Sequence, residues 1–230
     1  MEIQILNPGA FGSALVKLDP GDSFVSDSGA MFRSSANVDI DVTTKSRGKG
    51  GLLSGLKRLI SGDNFFFSTY RVKDDQPGEV GLAPTLQGEV FKIEVDGTPN
   101  VCCAGGSYLA SDASLELDLQ YQGLGRGLLG GESLFFMQVA GQGSLLVNAY
   151  GRITAIDVDG ELVVDTGHLV AFEETLTYRV TKTNAGWIKS FLSGEGMVMH
   201  FEGRGRIWVQ SHNPKEFGSR LGRQLPPRRA

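Results

Sequence analysis

Leu115-Glu116-Leu117-Asp118-Leu119-Gln120-Tyr121 alternates apolar and polar side chains without an error, and a period of two is the signature of a strand with one buried face. Val38-Asp39-Ile40-Asp41-Val42 and Leu176-Thr177-Tyr178-Arg179-Val180 behave the same way. In a fourth stretch Phe91, Ile93 and Val95 share one face while Lys92, Glu94 and Asp96 take the other. Helical periodicity is nearly absent outside Gly50 to Ile60, where Leu52, Leu53, Leu56, Leu59 and Ile60 fall on one side of a short helix. The chain reads as all-β, with short strands and one short helix near 50–60.

These strands recur on a longer period. Leu59-Ile60-Ser61-Gly62-Asp63-Asn64-Phe65-Phe66-Phe67, Leu128-Leu129-Gly130-Gly131-Glu132-Ser133-Leu134-Phe135-Phe136 and Phe191-Leu192-Ser193-Gly194-Glu195-Gly196-Met197-Val198-Met199 match in kind. A base stands five residues before each aligned glycine: Lys57, Arg126 and Lys189. Upstream, each copy holds a strand ending at an acid and a glycine, at Asp19-Pro20-Gly21, Asp96-Gly97 and Asp159-Gly160. The expected organisation is one β domain over 1–212, made of repeats at 14–88, 89–151 and 152–212, with a basic tail over 213–230. The apolar faces of the repeats need one another for burial. The 32 glycines among 230 residues, about double the usual share, are then explained as turn residues. The tail reads as frayed and solvated.

The third copy resembles a known family. Val164-Asp165-Thr166-Gly167-His168-Leu169-Val170-Ala171-Phe172, then Gly194-Glu195, then Phe201-Glu202-Gly203-Arg204-Gly205-Arg206-Ile207-Trp208-Val209-Gln210, are similar to the altered-inheritance-of-mitochondria protein 24 family. The resemblance runs from about Leu15 to Ser211 and includes Leu82-Ala83-Pro84; Asp63 stands where Glu is more usual. It implies a fold like that of the trp RNA-binding attenuation protein, a β-sandwich resembling a double-stranded β-helix. It also implies a link to mitochondrial inner-membrane organisation in some relatives and no established activity in the bacterial ones.

Motifs for chemistry are sparse. Gly125-Arg126-Gly127-Leu128-Leu129-Gly130 matches a dinucleotide-binding spacing, but the segment that follows reads as a strand and not as the helix whose N-terminus would hold pyrophosphate. His168, His200 and His212 are the only histidines and form no His-x-His pair, so neither metal nor cofactor is expected. Adjacent Cys102 and Cys103 suit reduced core thiols. Asp165, Gly167 and His168 read as a structural turn, as do Gly62, Asp63, Gly131, Glu132, Gly194 and Glu195. No nucleophile elbow or phosphate loop occurs, and the expectation is not an enzyme.

Charge points to surfaces. The formal net charge is -4, yet five bases (Lys45, Arg47, Lys49, Lys57, Arg58) lie in one stretch without an acid, and five more (Lys215, Arg220, Arg223, Arg228, Arg229) in the tail face only Glu216. Together with Leu52, Leu53 and Leu56, the first group suits an anionic membrane surface or the acidic groove of a protein partner. An acidic body makes nucleic acid an unlikely partner. Residues 1–20 lack the pattern of a leader and no apolar run would span a bilayer, so the expected place is the cytoplasm, including peripherally at the membrane. Edge strands in such a fold need covering, which makes a homo-oligomer an expectation. The expected function is a non-enzymatic β-scaffold acting in protein–protein or membrane-associated assembly. The alternatives are RNA binding by analogy of fold and a small-ligand or metal-binding β-barrel enzyme.

Overall fold

The structure, a computed structural model, describes residues 1–43, 66–122, 134–182 and 197–226. The expected helix near 50–60 lies outside them. The described chain is all-β apart from one 3-10 turn and one helix.

A leading strand, β1 (Glu2–Leu6), precedes three stretches that pair alike. The first comprises β2 (Ser13–Leu18), β3 (Ser23–Asp27), β4 (Met31–Ser34), β5 (Val38–Thr43), β6 (Phe67–Val72) and β7 (Gly78–Leu82). Here β7 takes β2 and β4 as neighbours while β6 takes β3 and β5. The second comprises β8 (Val90–Asp96), β9 (Val101–Ala104), β10 (Tyr108–Asp112), β11 (Glu116–Gln122), β12 (Leu134–Ala140) and β13 (Gln142–Asn148). Its β13 takes β8 and β10, and its β12 takes β9 and β11. In the third, β14 (Ile153–Asp165) and β17 (Met197–Gln210) each serve as two strands around β15 (Leu169–Glu173) and β16 (Thr177–Lys182). The register slips between Met31 and Arg33 on β4, between Tyr108 and Ala110 on β10, and between Leu169 and Ala171 on β15, the mark of a β-bulge at the same place in each stretch.

Successive stretches share sheets. Strand β3 pairs with β10, and β9 pairs with β15, both antiparallel. The result is a six-stranded sheet in the order β5-β6-β3-β10-β13-β8 and a seven-stranded one in which β11-β12-β9 runs on into β15-β17-β14. The remaining sheet, β1-β2-β7-β4, ends at β4. Three apolar clusters follow from this sharing. The cluster around Phe24, Tyr70 and Leu82 borrows Leu109, Ala110 and Leu146 from the second stretch, and the one around Phe172, Met199 and Phe201 borrows Cys102 and Phe136. Strand β13 is buried on both faces, with Leu145 and Val147 in one cluster and Leu146 in another.

Alternation located the strands better than it located their cover. Leu115, Leu117, Ile93 and Val95 are buried, whereas Phe91 is 36% exposed at the rim of edge strand β8. On edge strand β5 only Val38 is buried; Ile40 and Val42 face solvent. Two other expectations change. The tail is not frayed throughout, because Pro214–Gly222 forms a helix, α1. Asn213 caps it, its Oδ1 accepting from the amides of Lys215 at 3.0 Å and Glu216 at 3.2 Å, and Pro214 supplies a preset φ in the first turn.

The glycine surplus is also not all turns. Gly21, Gly97 and Gly160 do hold positive φ at the acid–glycine turns, but Gly12 and Gly88 are needed for close approach. The Gly12 amide donates to the Gly88 carbonyl at 2.8 Å, and Gly88 forms a parallel bridge with Gly151. A Cβ on Gly88 would overlap the Ala149 carbonyl, which is backbone and has nowhere to move. Gly88→Ala should lower stability by about 2–3 kcal/mol in urea melts, the size of a forced overpacking. Gly218→Ala, with open space around its Cβ in α1, should leave the midpoint unchanged or slightly raised.

Candidate functional site

The basic-apolar candidates Lys45, Arg47, Lys49, Leu52, Leu53, Leu56, Lys57 and Arg58 lie outside the described residues. So do Gly62, Asp63, Gly131, Glu132, Gly194 and Glu195, and with them Arg126 and Lys189. All of these fall in the segments joining β5 to β6, β11 to β12 and β16 to β17.

Asp165, Gly167 and His168 are described, and their polar groups are tied into the fold. Asp165 Oδ1 accepts from the Gly167 amide at 2.7 Å, closing a 3-10 turn over Thr166–His168. Buried Gln210 then clamps that turn. Its Nε2 donates to the Gly167 carbonyl at 2.9 Å, its Oε1 accepts from the Tyr150 amide at 2.8 Å, and its own carbonyl receives His168 Nδ1–H at 2.8 Å. A Cβ on Gly167 would meet the Asn213 side chain, so the turn also seats the start of α1. The His212 ring lies edge-on to Tyr150 with centroids 5.2 Å apart. Gln210 closes the stretch that carries the family resemblance, but nothing in the sequence signalled its role, which depends on the Tyr150 amide, the Gly167 carbonyl and the His168 ring brought together.

The thiols offer little nucleophilic chemistry. Cys102 and Cys103 are free and buried. Burial, with the Glu174 carboxylate second, pushes the Cys102 thiol up, and burial pushes Cys103 up to about 12. Both stay protonated at neutral pH. The Glu174 carboxylate accepts from Cys102 Sγ at 3.5 Å, from Asn100 Nδ2 at 2.8 Å and from Gln138 Nε2, sealing the junction of β9 with β15. Among the described residues no group of three or more His, Cys, Asp or Glu could hold a metal ion.

A concavity lies over the outer half of β14 with β16 and the start of β17. It has room for about 160 Å³, and its lining includes Glu161, Val163, Tyr178, Arg179, His200 and Glu202. His200 is held on both sides. Arg179 Nη2 donates to its Nδ1 at 3.3 Å, and its Nε2 meets Thr181 Oγ1 at 3.0 Å. An arginine donor at Nδ1 leaves the ring proton on Nε2, facing the threonine oxygen. Burial raises the Tyr178 hydroxyl to about 12, so it donates or accepts without ionising. The arrangement is a polar stripe along a sheet edge beside exposed Val163. Alternation at 176–180 pointed to the strand, but not to its outer neighbour being open.

Comparison with known proteins agrees with the fold. A family model described as mitochondrial biogenesis AIM24 matches residues 3–212. The chain belongs to the AIM24 family. An uncharacterised protein of Streptococcus pyogenes serotype M6 is 32% identical over 216 residues, covering 92% of this chain and 86% of that one. A crystal structure of a Streptococcus pyogenes protein superposes with a TM-score of 0.78 at 30% identity, covering 97% of this chain and 99% of that chain. In this AIM24 chain no helix among the described residues is long and apolar enough to cross a membrane.

Two measurements check the polar groups. Gln210→Leu strands the Tyr150 amide and the Gly167 carbonyl, and should cost about 1–3 kcal/mol in chemical denaturation. Half-buried Asp27 has its carboxyl raised by desolvation, against a smaller lowering by the Ser28 amide. Above the raised range Asp27 is charged in both states and the native state bears the burial cost; below the unfolded range it is neutral in both and the cost is gone. Asp27→Asn should therefore stabilise near neutral pH, and its advantage should shrink as pH falls through that window. A gain that grows on acidification would contradict this.

Proposed function

We propose that this AIM24-family protein is a non-enzymatic β-scaffold that works peripherally at an anionic membrane surface, and that its three stretches of six strands are copies of one unit. The recurring pairing scheme and the bulge shared by β4, β10 and β15 support the repeat. The observation that carries the membrane reading is α1. Phe217, Leu221 and the following Leu225 are exposed and spaced four residues apart, while Lys215, Arg220 and the C-cap Arg223 outnumber the one acid, Glu216, which pairs with Arg220 at 3.4 Å. The Phe217 ring packs against Tyr150, with centroids 5.3 Å apart.

One nine-residue helix is a weak anchor, and stable attachment of a peripheral protein takes two weak signals. The sequence supplies a second in Lys45–Arg58 with its leucines, and a pair of further arginines at Arg228 and Arg229. Each base near an acidic surface contributes about 1 kcal/mol. Outside those two segments 12 bases face 25 acids, so the body is repelled and the basic segments are turned to the bilayer.

Flotation with vesicles of phosphatidylcholine alone or with added phosphatidylserine tests this. The intact chain should float with the acidic vesicles and not the neutral ones. A chain ending at 212, and a variant with Lys45, Arg47, Lys49, Lys57 and Arg58 changed to Ser, should each recover less. Equal recovery of all three would remove the membrane reading.

A further inference from the structure

The sharing of sheets that joins the first stretch to the second, and the second to the third, is not completed from the third back to the first. At the first junction Ala110 lies opposite Ser26, Ser111 opposite Val25 and Asp112 opposite Phe24. At the second, Ala171 lies opposite Cys103, Phe172 opposite Cys102 and Glu173 opposite Val101. One further backbone bond closes each: the Ala113 amide to the Ser23 carbonyl at 3.3 Å, and the Glu174 amide to the Asn100 carbonyl at 3.0 Å. In both, the bulged strand meets the strand that follows the acid–glycine turn. The third member of each class is present. Strand β4 is the bulged strand of the first stretch, and the outer half of β14, after Gly160, follows the turn of the third. Among the described residues neither has a partner on that side.

Exposure marks the same two edges. Val25 and Cys102, which occupy equivalent positions, are 2% and 5% exposed, whereas their counterpart Val163 is 52% exposed. At the centre of the bulge Leu109 and Val170 are 2% and 0% exposed, whereas Phe32 is 54% exposed. Each apolar side chain lacks the strand that covers its equivalent. An edge with a free hydrogen-bonding row and an uncovered valine is a template for another strand.

We propose that a second copy of this chain supplies that strand: β4 of one copy pairs antiparallel with the outer half of β14 of another, in the register Arg33 to Val164, Ser34 to Val163 and Ser35 to Leu162. The register is the one both internal junctions use. Because the two edges differ, the contact is heterologous, and copies add head to tail into a ring or an open filament according to the angle between them. Glu161 and Asp165 flank Val163 on one edge, while on the other Arg33 is ion-paired with Glu79 at 3.2 Å, so the contact rests on backbone pairing and apolar cover. The inference goes beyond the membrane reading and does not depend on it.

The test is disulfide trapping in vesicle-free buffer, with the native thiols buried. Ser34→Cys and Val163→Cys are made separately, tagged differently, mixed and oxidised gently. A cross-linked heterodimer should form in the mixture several-fold faster than homodimers form from either variant alone. Replacing Val163→Cys by Glu161→Cys, two residues out of register, should abolish the gain, because Cys residues with Cα atoms more than about 7 Å apart do not bridge. Independently of any thiol, sedimentation of the unaltered chain should show mass rising with concentration, and Val163→Lys should hold it at the monomer. No cross-link in the mixture, equal cross-linking by Glu161→Cys, a monomer at every concentration, or a Ser34→Cys/Val163→Cys double variant that links only within one chain would each overturn the proposal.

Discussion

Strand pairing between successive stretches, β3 with β10 and β9 with β15, is the constraint on which the rest of this molecule depends. A stretch of six short strands cannot cover its own apolar faces. The structure answers by running each sheet from one stretch into the next, so that Leu109, Ala110 and Leu146 fill the first core and Cys102 and Phe136 fill the last. Where the backbones meet, at Gly12, Gly88 and Gly151, the distances leave no place for a side chain at Gly88. Burial, glycine placement and the position of the free edges all follow from that one arrangement. So does the sealed junction around Glu174, whose carboxylate bridges Asn100, Cys102 and Gln138.

The fold class was legible because alternation is a local property. Leu115-Glu116-Leu117 shows its period whatever lies beside it, and the acid–glycine turns carry their own conformational signal in Gly21, Gly97 and Gly160. Cover is not local. Phe91 and Val42 look like core residues in sequence and are exposed on β8 and β5, which end their sheet among the described residues. The helix α1 was legible in principle, since Asn213-Pro214 followed by Glu216 is an N-terminal signature, but the tail's two glycines, its five bases and Pro226-Pro227 are equally the composition of a solvated end. The glycine explanation was half right for the same reason: a turn glycine can be inferred from its neighbours, whereas Gly88 is required by Ala149, which lies far along the chain.

The candidate sites divide along similar lines. Asp165, Gly167 and His168 were recognisable as a turn, and the structure shows the turn held by Gln210, whose clamping role no local spacing announces. The stripe of Tyr178, Arg179 and His200 beside Val163 could not be found by spacing, because what makes it a surface is that β14 has no outer neighbour among the described residues. The thiols are engaged in the interior and His168 in the turn, whereas His200 lines the open stripe and His212 packs against Tyr150.

Hydrogen exchange on the dilute, monomeric protein tests the shared-sheet account most directly, since amides inside a continuous sheet open only with global unfolding while those on a free edge open locally. The account predicts that β3, β9, β10 and β15 exchange together and slowest, and that β4 and the outer half of β14 exchange much faster despite having the same kind of sequence. Protection of β10 and β15 no greater than that of β4 would contradict it.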